Sequence, residues 1–252
     1  MLRLVEGPDW LAAVARDWWS AERALTLIAP NFAAQQKADS AAIERLLGDA
    51  LRSRAATIIA ELGDADTLRA PFDLARLYRI APALHAPLET ASATALVSND
   101  KVELWVASQA PQATRKAVAA ALGRSLDEVV LYPAPAGGSF DARLDTPHAV
   151  EAAIIAREVG KPVQLTWSRW QEALRDLPRA PAQAALAART APDGSLAALK
   201  VRVAMPGTTP EFGARLFDGA DPLAARAAQE RADPLGLAGC IPPYTIPHMV
   251  VE

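Results

Sequence analysis

Apolar and polar positions along the 252 residues change period several times, and each change predicts an element. After Asp9, a plausible N-cap, Trp10, Leu11, Val14, Trp18 and Trp19 follow at spacings near three and four, with Arg16, Asp17 and Glu22 facing elsewhere. That pattern predicts a helix stopped by Pro30. A second helix starts near Ser40, its apolar stripe Ile43, Leu46, Leu47 and Leu51 opposing Glu44, Arg45 and Asp49. Leu74 to Ile80 reads as a strand. Thr94–Val97 and Val102–Val106 flank Ser98-Asn99-Asp100-Lys101, and Asn and Asp tolerate the backbone angles of a tight turn, so a hairpin is predicted. The period then lengthens: Pro111 opens a helix to Leu122, with Val118, Ala121 and Leu122 on one face and Gly123 at its end. A strand Val129–Tyr132, a loop Pro133–Ser139, a helix Thr146–Val159 ended by Gly160, a strand Pro162–Trp167 and a short helix Trp170–Arg175 follow. Strands Ala184–Thr190 and Leu196–Met205 are joined by the turn Pro192-Asp193-Gly194. Beyond Pro206 periodicity fades, apart from an alanine-rich helical stretch near Ala224–Arg231 and the beginning of a strand at Val250. The fold class is α+β: a helical segment over 1–68, a mixed αβ domain with β-hairpins over 69–205, and an extended connector over 206–252.

Composition narrows the function classes. Hydrophobic residues make up 51% and charged residues 22%, enough apolar material for a sizeable core. With 26 basic against 29 acidic side chains and a net charge of -3, no basic surface for nucleic acid is expected. Cys240 is the one cysteine, which excludes an internal disulfide and any cysteine-ligated zinc or iron–sulfur site within the chain. His85, His148 and His248 lie far apart, without metal-ligand spacing, and no metal site is expected. No apolar run approaches the roughly 20 residues that span a bilayer. The N-terminus has no signal-peptide pattern, which points to the cytoplasm.

Few residues stand out for chemistry. In Ala136-Gly137-Gly138-Ser139-Phe140 the paired glycines let a backbone approach a ligand and expose N–H groups, which suits an oxyanion or phosphate. Alone, such a pair reads as a tight turn. There is no P-loop, no Gly-x-Gly-x-x-Gly and no nucleophile elbow. Gln109 lies between a strand and a helix and both donates and accepts hydrogen bonds; by spacing alone it is a cap beside Pro111. Glu89 is either a base or, more commonly, a solvated or arginine-paired carboxylate. Trp167-Ser168-Arg169-Trp170 reads as aromatic packing with a surface arginine.

The order of these weak signals nevertheless resembles a family. His85-Ala86-Pro87-Leu88-Glu89, Ala93-Thr94-Ala95 and Val102 through Ser108-Gln109-Ala110-Pro111 are followed by Gly137-Gly138-Ser139-Phe140, Arg143-Leu144 and Glu151-Ala152-Ala153. Gly160-Lys161-Pro162-Val163, Thr166-Trp167-Ser168-Arg169 and Pro243-Tyr244-Thr245-Ile246-Pro247 complete the series. This resembles the molybdopterin-binding large subunit of the xanthine dehydrogenase and aldehyde oxidase family, in its isoquinoline 1-oxidoreductase beta-subunit branch, over roughly residues 70–250.

The resemblance implies a central fragment of a molybdenum hydroxylase that oxidises an aldehyde or hydroxylates an N-heterocycle with water-derived oxygen. It implies a molybdenum–molybdopterin cofactor and [2Fe–2S] clusters on a partner small subunit. Gln109 matches the glutamine that hydrogen-bonds a molybdenum oxo ligand, and Gly137, Gly138, Ser139, Phe140 and Asp141 match the cofactor loop. No catalytic residue is assigned here, because the expected glutamate belongs to a C-terminal half beyond this chain; the chain alone is expected to be inactive. Ser139 and Asp141 replace glycines of the pattern, and Asp141 brings negative charge towards an anionic cofactor. These departures predict that the loop moves aside or binds poorly. They also sustain an alternative, a cofactor-less assembly domain of the same fold, in which Asp141 fills the loop with its own hydrogen bonds. An unrelated anion-binding domain would instead gather helix N-termini at the glycines. Lacking its neighbouring domains, the chain is expected to expose apolar surface and form homodimers or aggregates. The family relatives also leave a periplasmic location open.

Overall fold

A computed structural model of the chain describes residues 3–33, 39–69, 71–213 and 233–252. It forms two compact units, each discontinuous in sequence: Met1–Lys37, Leu84–Leu177 and Gly213–Asp221, and Ala38–Ala83, Pro178–Phe212 and Pro222–Glu252. Helices and mixed sheets together make an α+β arrangement.

The first unit opens with strands β1 (Arg3–Glu6) and β2 (Leu11–Val14), paired antiparallel with Val5 opposite Ala12. Sequence periodicity predicted a helix from Asp9 here, and that expectation is wrong. Gly7-Pro8-Asp9 is a hairpin turn, closed by the Gly7 N–H donating to the Trp10 carbonyl at 2.9 Å. The Trp10 ring lies where a side chain on residue 7 would stand. Burial of Val5 and Ala12 against Ile155 outweighs the helical spacing of the tryptophans. Helix α1 (Trp18–Ile28) starts later, with the Asp17 carboxylate accepting from the Ser20 N–H at 2.8 Å.

The main sheet of this unit contains β5 (Ser92–Val97), β6 (Val102–Ala107), β7 (Val129–Ala134) and β8 (Val163–Thr166), in the order β7-β6-β5-β8. The hairpin β5–β6 has the expected turn, with Val97 opposite Val102. Helix α3 (Pro111–Leu122) crosses from β6 to the parallel strand β7, and α4 (Pro147–Val159) packs with it on one sheet face. Ala149, Ala152, Ala153 and Ala156 let α4 lie close to Ala93, Ala95 and Leu104. On α3, Val118 is buried as expected, whereas Ala121 is exposed and Ala113, Thr114 and Ala119 take the inner face. Helix α5 (Arg169–Arg175) follows β8, capped by Ser168. Because β6 and β7 run in parallel, the loops after them leave the same end of the sheet, where α/β sheets place their ligands.

In the second unit, α2 (Ser40–Arg52) packs on a five-stranded sheet ordered β3-β11-β10-β9-β4. Its strands are β3 (Ala60–Leu62), β4 (Leu74–Ile80), β9 (Ala182–Thr190), β10 (Leu196–Ala204) and β11 (His248–Val251). Gly48 of α2 is buried and Leu46 is 69% exposed, so the inner face is rotated from the expected stripe. The segment 1–68 is therefore not purely helical, since it carries β1, β2 and β3. The segment 206–252, expected as connector, ends in β11, which is inserted between β3 and β10 and buries Met249, Val250 and Val251. The expected helix at 224–231 lies outside the described residues.

Candidate functional site

The loop after β6 and the loop after β7 are joined at two residues. The Gln109 N–H donates to the Arg143 carbonyl at 2.9 Å, and the Arg143 N–H donates back to Gln109 Oε1 at 3.2 Å. Ser139 Oγ stands 3.0 Å from the same Oε1 and 3.0 Å from the Ala136 carbonyl, sharing its one proton between them. The carboxamide oxygen of Gln109 is thus engaged from inside the protein. Its Nε2 has no partner among the described residues, and the side chain is exposed. Gln109 therefore presents a donor outward.

The glycine loop has an unusual backbone. Gly138, Phe140 and Asp141 all have positive φ, at 64°, 49° and 77°. For Phe140 this left-handed region is strained, a feature that collects at functional sites, whereas aspartate tolerates it at 141. Position 138 requires glycine, since an added Cβ would stand 2.6 Å from Leu88 Cδ1. The loop is held to residue 88 by the Leu88 N–H donating to the Gly138 carbonyl at 3.0 Å. Gly137 borders open space, with nothing within 4 Å of an added Cβ. Among the described residues, no hydrogen bond uses the N–H of Gly137, Gly138 or Asp141. Beside Gly137 lies a shallow cleft open to solvent, with a cavity volume of about 10 Å³, lined by Pro87, Glu89, Ala107, Ala136, Gly137 and Ser139, among others. The Asp141 carboxylate makes no hydrogen bond among the described residues and does not fill the loop. Ser139, by contrast, is buried beneath it.

Under the loop lies a polar layer that sequence spacing did not reveal. Arg143 is buried and pairs with buried Glu172 at 3.0 Å, also donating to the Glu89 carbonyl. Glu172 accepts from the Ala91 N–H at 2.9 Å and from Arg169 at 3.0 Å. Arg169, a surface arginine as expected, donates further to the carbonyls of Pro87 and Leu88, at 2.6 and 2.9 Å, and so also anchors this segment. His85 Nδ1 and N–H both meet the Asp176 carboxylate, at 2.8 and 2.7 Å. Segment 85–91 is thus pinned through its carbonyls and N–H groups, satisfying a backbone that belongs to no strand. The Glu89 side chain is exposed, as a solvated carboxylate would be.

A second polar cluster sits on α4. Burial pushes Glu151 up to about 7, although Arg175 at 2.7 Å and the Trp167 indole N–H at 3.0 Å favour its ionised form. His148 is buried edge-on to Trp167, with ring centroids 6.0 Å apart, and its Nε2 has no partner among the described residues. Burial, with the Arg143 charge behind it, lowers its pKa to about 3. The available signal for Glu151 was a lone charge on the alanine face of a helix. Arg143 stood out only within the motif series, and His148 and Glu172 had no comparable signal. Among the described residues, no three His, Cys, Asp or Glu side chains gather to hold a metal, and no helix is long and apolar enough to cross a membrane.

Comparison with known proteins yields four matches. Residues 51–218 match the molybdopterin cofactor-binding domain family. Over 105 residues the chain is 37% identical to isoquinoline 1-oxidoreductase subunit beta of Brevundimonas diminuta, covering 41% of this chain and 13% of that protein. Aldehyde oxidoreductase from Desulfovibrio gigas shares the fold, with a TM-score of 0.55 at 23% identity, over 76% of this chain and 20% of the other. So does CO dehydrogenase from Oligotropha carboxidovorans, with a TM-score of 0.51 at 20% identity, over 76% of this chain and 23% of that one. The chain therefore spans about an eighth to a quarter of the length of these relatives.

Proposed function

Because the chain belongs to the molybdopterin cofactor-binding domain family, we propose that it forms one wall of the cofactor site in a molybdenum hydroxylase large subunit. The observation that carries this reading is the polarity of Gln109: its oxygen is occupied and its nitrogen faces outward, as an acceptor-rich oxo ligand requires. The donor set fits the group. The N–H groups of Gly137, Gly138 and Asp141 are uncommitted among the described residues, and Gly137, which lines the cleft, leaves space that a side chain would fill. Phe140, 53% exposed beside them, offers an apolar face to a planar ring system. Arg143 sits behind the loop as a structural cation, neutralised by Glu172.

When bound, the molybdenum–pterin group supplies a two-electron oxidation in which an aldehyde or N-heterocycle gains an oxygen from water and releases two protons and two electrons. This chain's residues orient the group. Glu151 and Glu172 are committed to arginines, so neither is assigned as general base, and the catalytic glutamate is assigned to another part of the large subunit. A single cysteine cannot hold an iron–sulfur cluster, so the electrons are assigned to [2Fe–2S] centres of a small partner subunit.

The exposed Asp141 carboxylate favours a second reading, an assembly domain that holds no cofactor. Molybdenum and pterin analysis of the protein purified from its natural reading frame separates the two, with a dye-linked assay on aldehydes and N-heterocycles beside it. Near-stoichiometric metal with turnover of either substrate class is expected. Intact protein lacking both metal and pterin, after production in a host that assembles the cofactor, would leave the second reading.

A further inference from the structure

We infer that Ser139 is a positioning residue for Gln109, clamping its carboxamide so that the nitrogen stays outward. This deepens the reading of Gln109 as a cofactor contact and rests on it. A glutamine carboxamide is nearly symmetric in shape, and its terminal torsion is broad and roughly two-fold, so an exposed glutamine samples both orientations. Two groups act on Gln109 from inside. The Arg143 N–H, a donor only, selects oxygen over nitrogen at 3.2 Å. At that length it holds the side chain weakly. Ser139 Oγ adds the second anchor at 3.0 Å, and it is itself fixed by burial and by the Ala136 carbonyl, also at 3.0 Å. Oε1 is then held from two directions, and the amide plane can neither turn over nor swing into solvent. A glycine at 139 would leave only the Arg143 contact. Ser139 therefore does not obstruct the groove; its hydroxyl points to Gln109 and Ala136.

Crystal structures of the protein and of its Ser139→Ala and Ser139→Gly variants test this directly. Both substitutions remove atoms, so no clash threatens folding. The Gln109 carboxamide is expected to become disordered in both variants, its B-factor relative to the loop backbone rising about twofold, with the 136–143 trace unchanged. A carboxamide equally ordered and equally oriented without the hydroxyl overturns the inference, and so does a shift of the loop backbone that leaves the carboxamide ordered. Gln109→Glu separates this inference from the underlying reading: its carboxylate keeps both inner hydrogen bonds but presents an acceptor outward. In the protein from the natural reading frame, Gln109→Glu is expected to lower molybdenum content several-fold and alter the Mo(V) EPR signal. Should Gln109→Glu leave both unchanged while Ser139→Ala loosens the carboxamide, the clamp stands and the cofactor role of Gln109 falls.

Discussion

His148 and Glu151 lie one turn apart on α4, both against Trp167, and their protonation works in opposite directions. Glu151 titrates near 7 when folded against 4.5 ordinarily, so between these values the folded chain binds more proton and gains stability as pH falls. His148 titrates near 3 against 6.5, so between those values the unfolded chain binds more proton and stability falls with pH. Across the overlap each contributes a slope of up to about 1.4 kcal/mol per pH unit, and the slopes oppose. Glu151→Gln is therefore expected to lose stability progressively below pH 6.5, while His148→Phe gains it between pH 7 and 4.5. Urea denaturation of both variants across this range checks the pair; parallel pH profiles would contradict the assignment. His148 was not legible as special in the sequence, and Glu151 only as a lone charge on an alanine-rich helix face; burial sets both values, and no spacing encodes it.

At the scale of elements, the glycine loop is stabilised from beneath rather than by its own turns. Arg143 and Glu172 are 7% and 6% exposed and tie the loop after β7 to segment 85–91 and α5. Arg143→Met leaves Glu172 with Arg169 as its remaining cation and the Glu89 carbonyl without its donor, so it is expected to cost about 1–3 kcal/mol in chemical denaturation. A loss below about 1 kcal/mol would show that the layer is incidental. Within the loop, Gly138→Ala is expected to cost about 1–2 kcal/mol for its positive φ, whereas Gly137→Ala changes stability by less than about 0.5 kcal/mol. Thermal melts of the two variants make the comparison, and equal losses would contradict it. The hairpin β5–β6, helix α3 and helix α4 were legible because glycine, proline and period changes mark their ends. The β1–β2 hairpin was not, because Trp10, Val14 and Trp18 mimic helical spacing while the decisive contact, with Ile155, is remote in sequence.

At the scale of the molecule, the chain carries apolar surface that neither unit covers within itself. Edge strand β4 is exposed along its whole length, with Leu74, Leu77, Tyr78 and Ile80 each between 46% and 58% exposed. Such an edge templates association. Sedimentation velocity of the 252-residue chain is expected to show species above 26.7 kDa that grow with concentration; a monodisperse monomer at high concentration would contradict this. Family membership was legible only in the ordered series of short motifs, since each alone is a turn, a cap or a packed aromatic. The polarity of Gln109 needed the fold, because Ser139 and Arg143 lie 30 and 34 residues away in sequence. The central claim, that the groove beside Gly137 takes molybdopterin, is tested most directly by measuring molybdenum and pterin in the protein from its natural reading frame with Gly137→Trp. Open space at Gly137 predicts an intact fold with molybdenum content reduced at least tenfold. Full molybdenum and pterin content in that variant would contradict the placement of the cofactor.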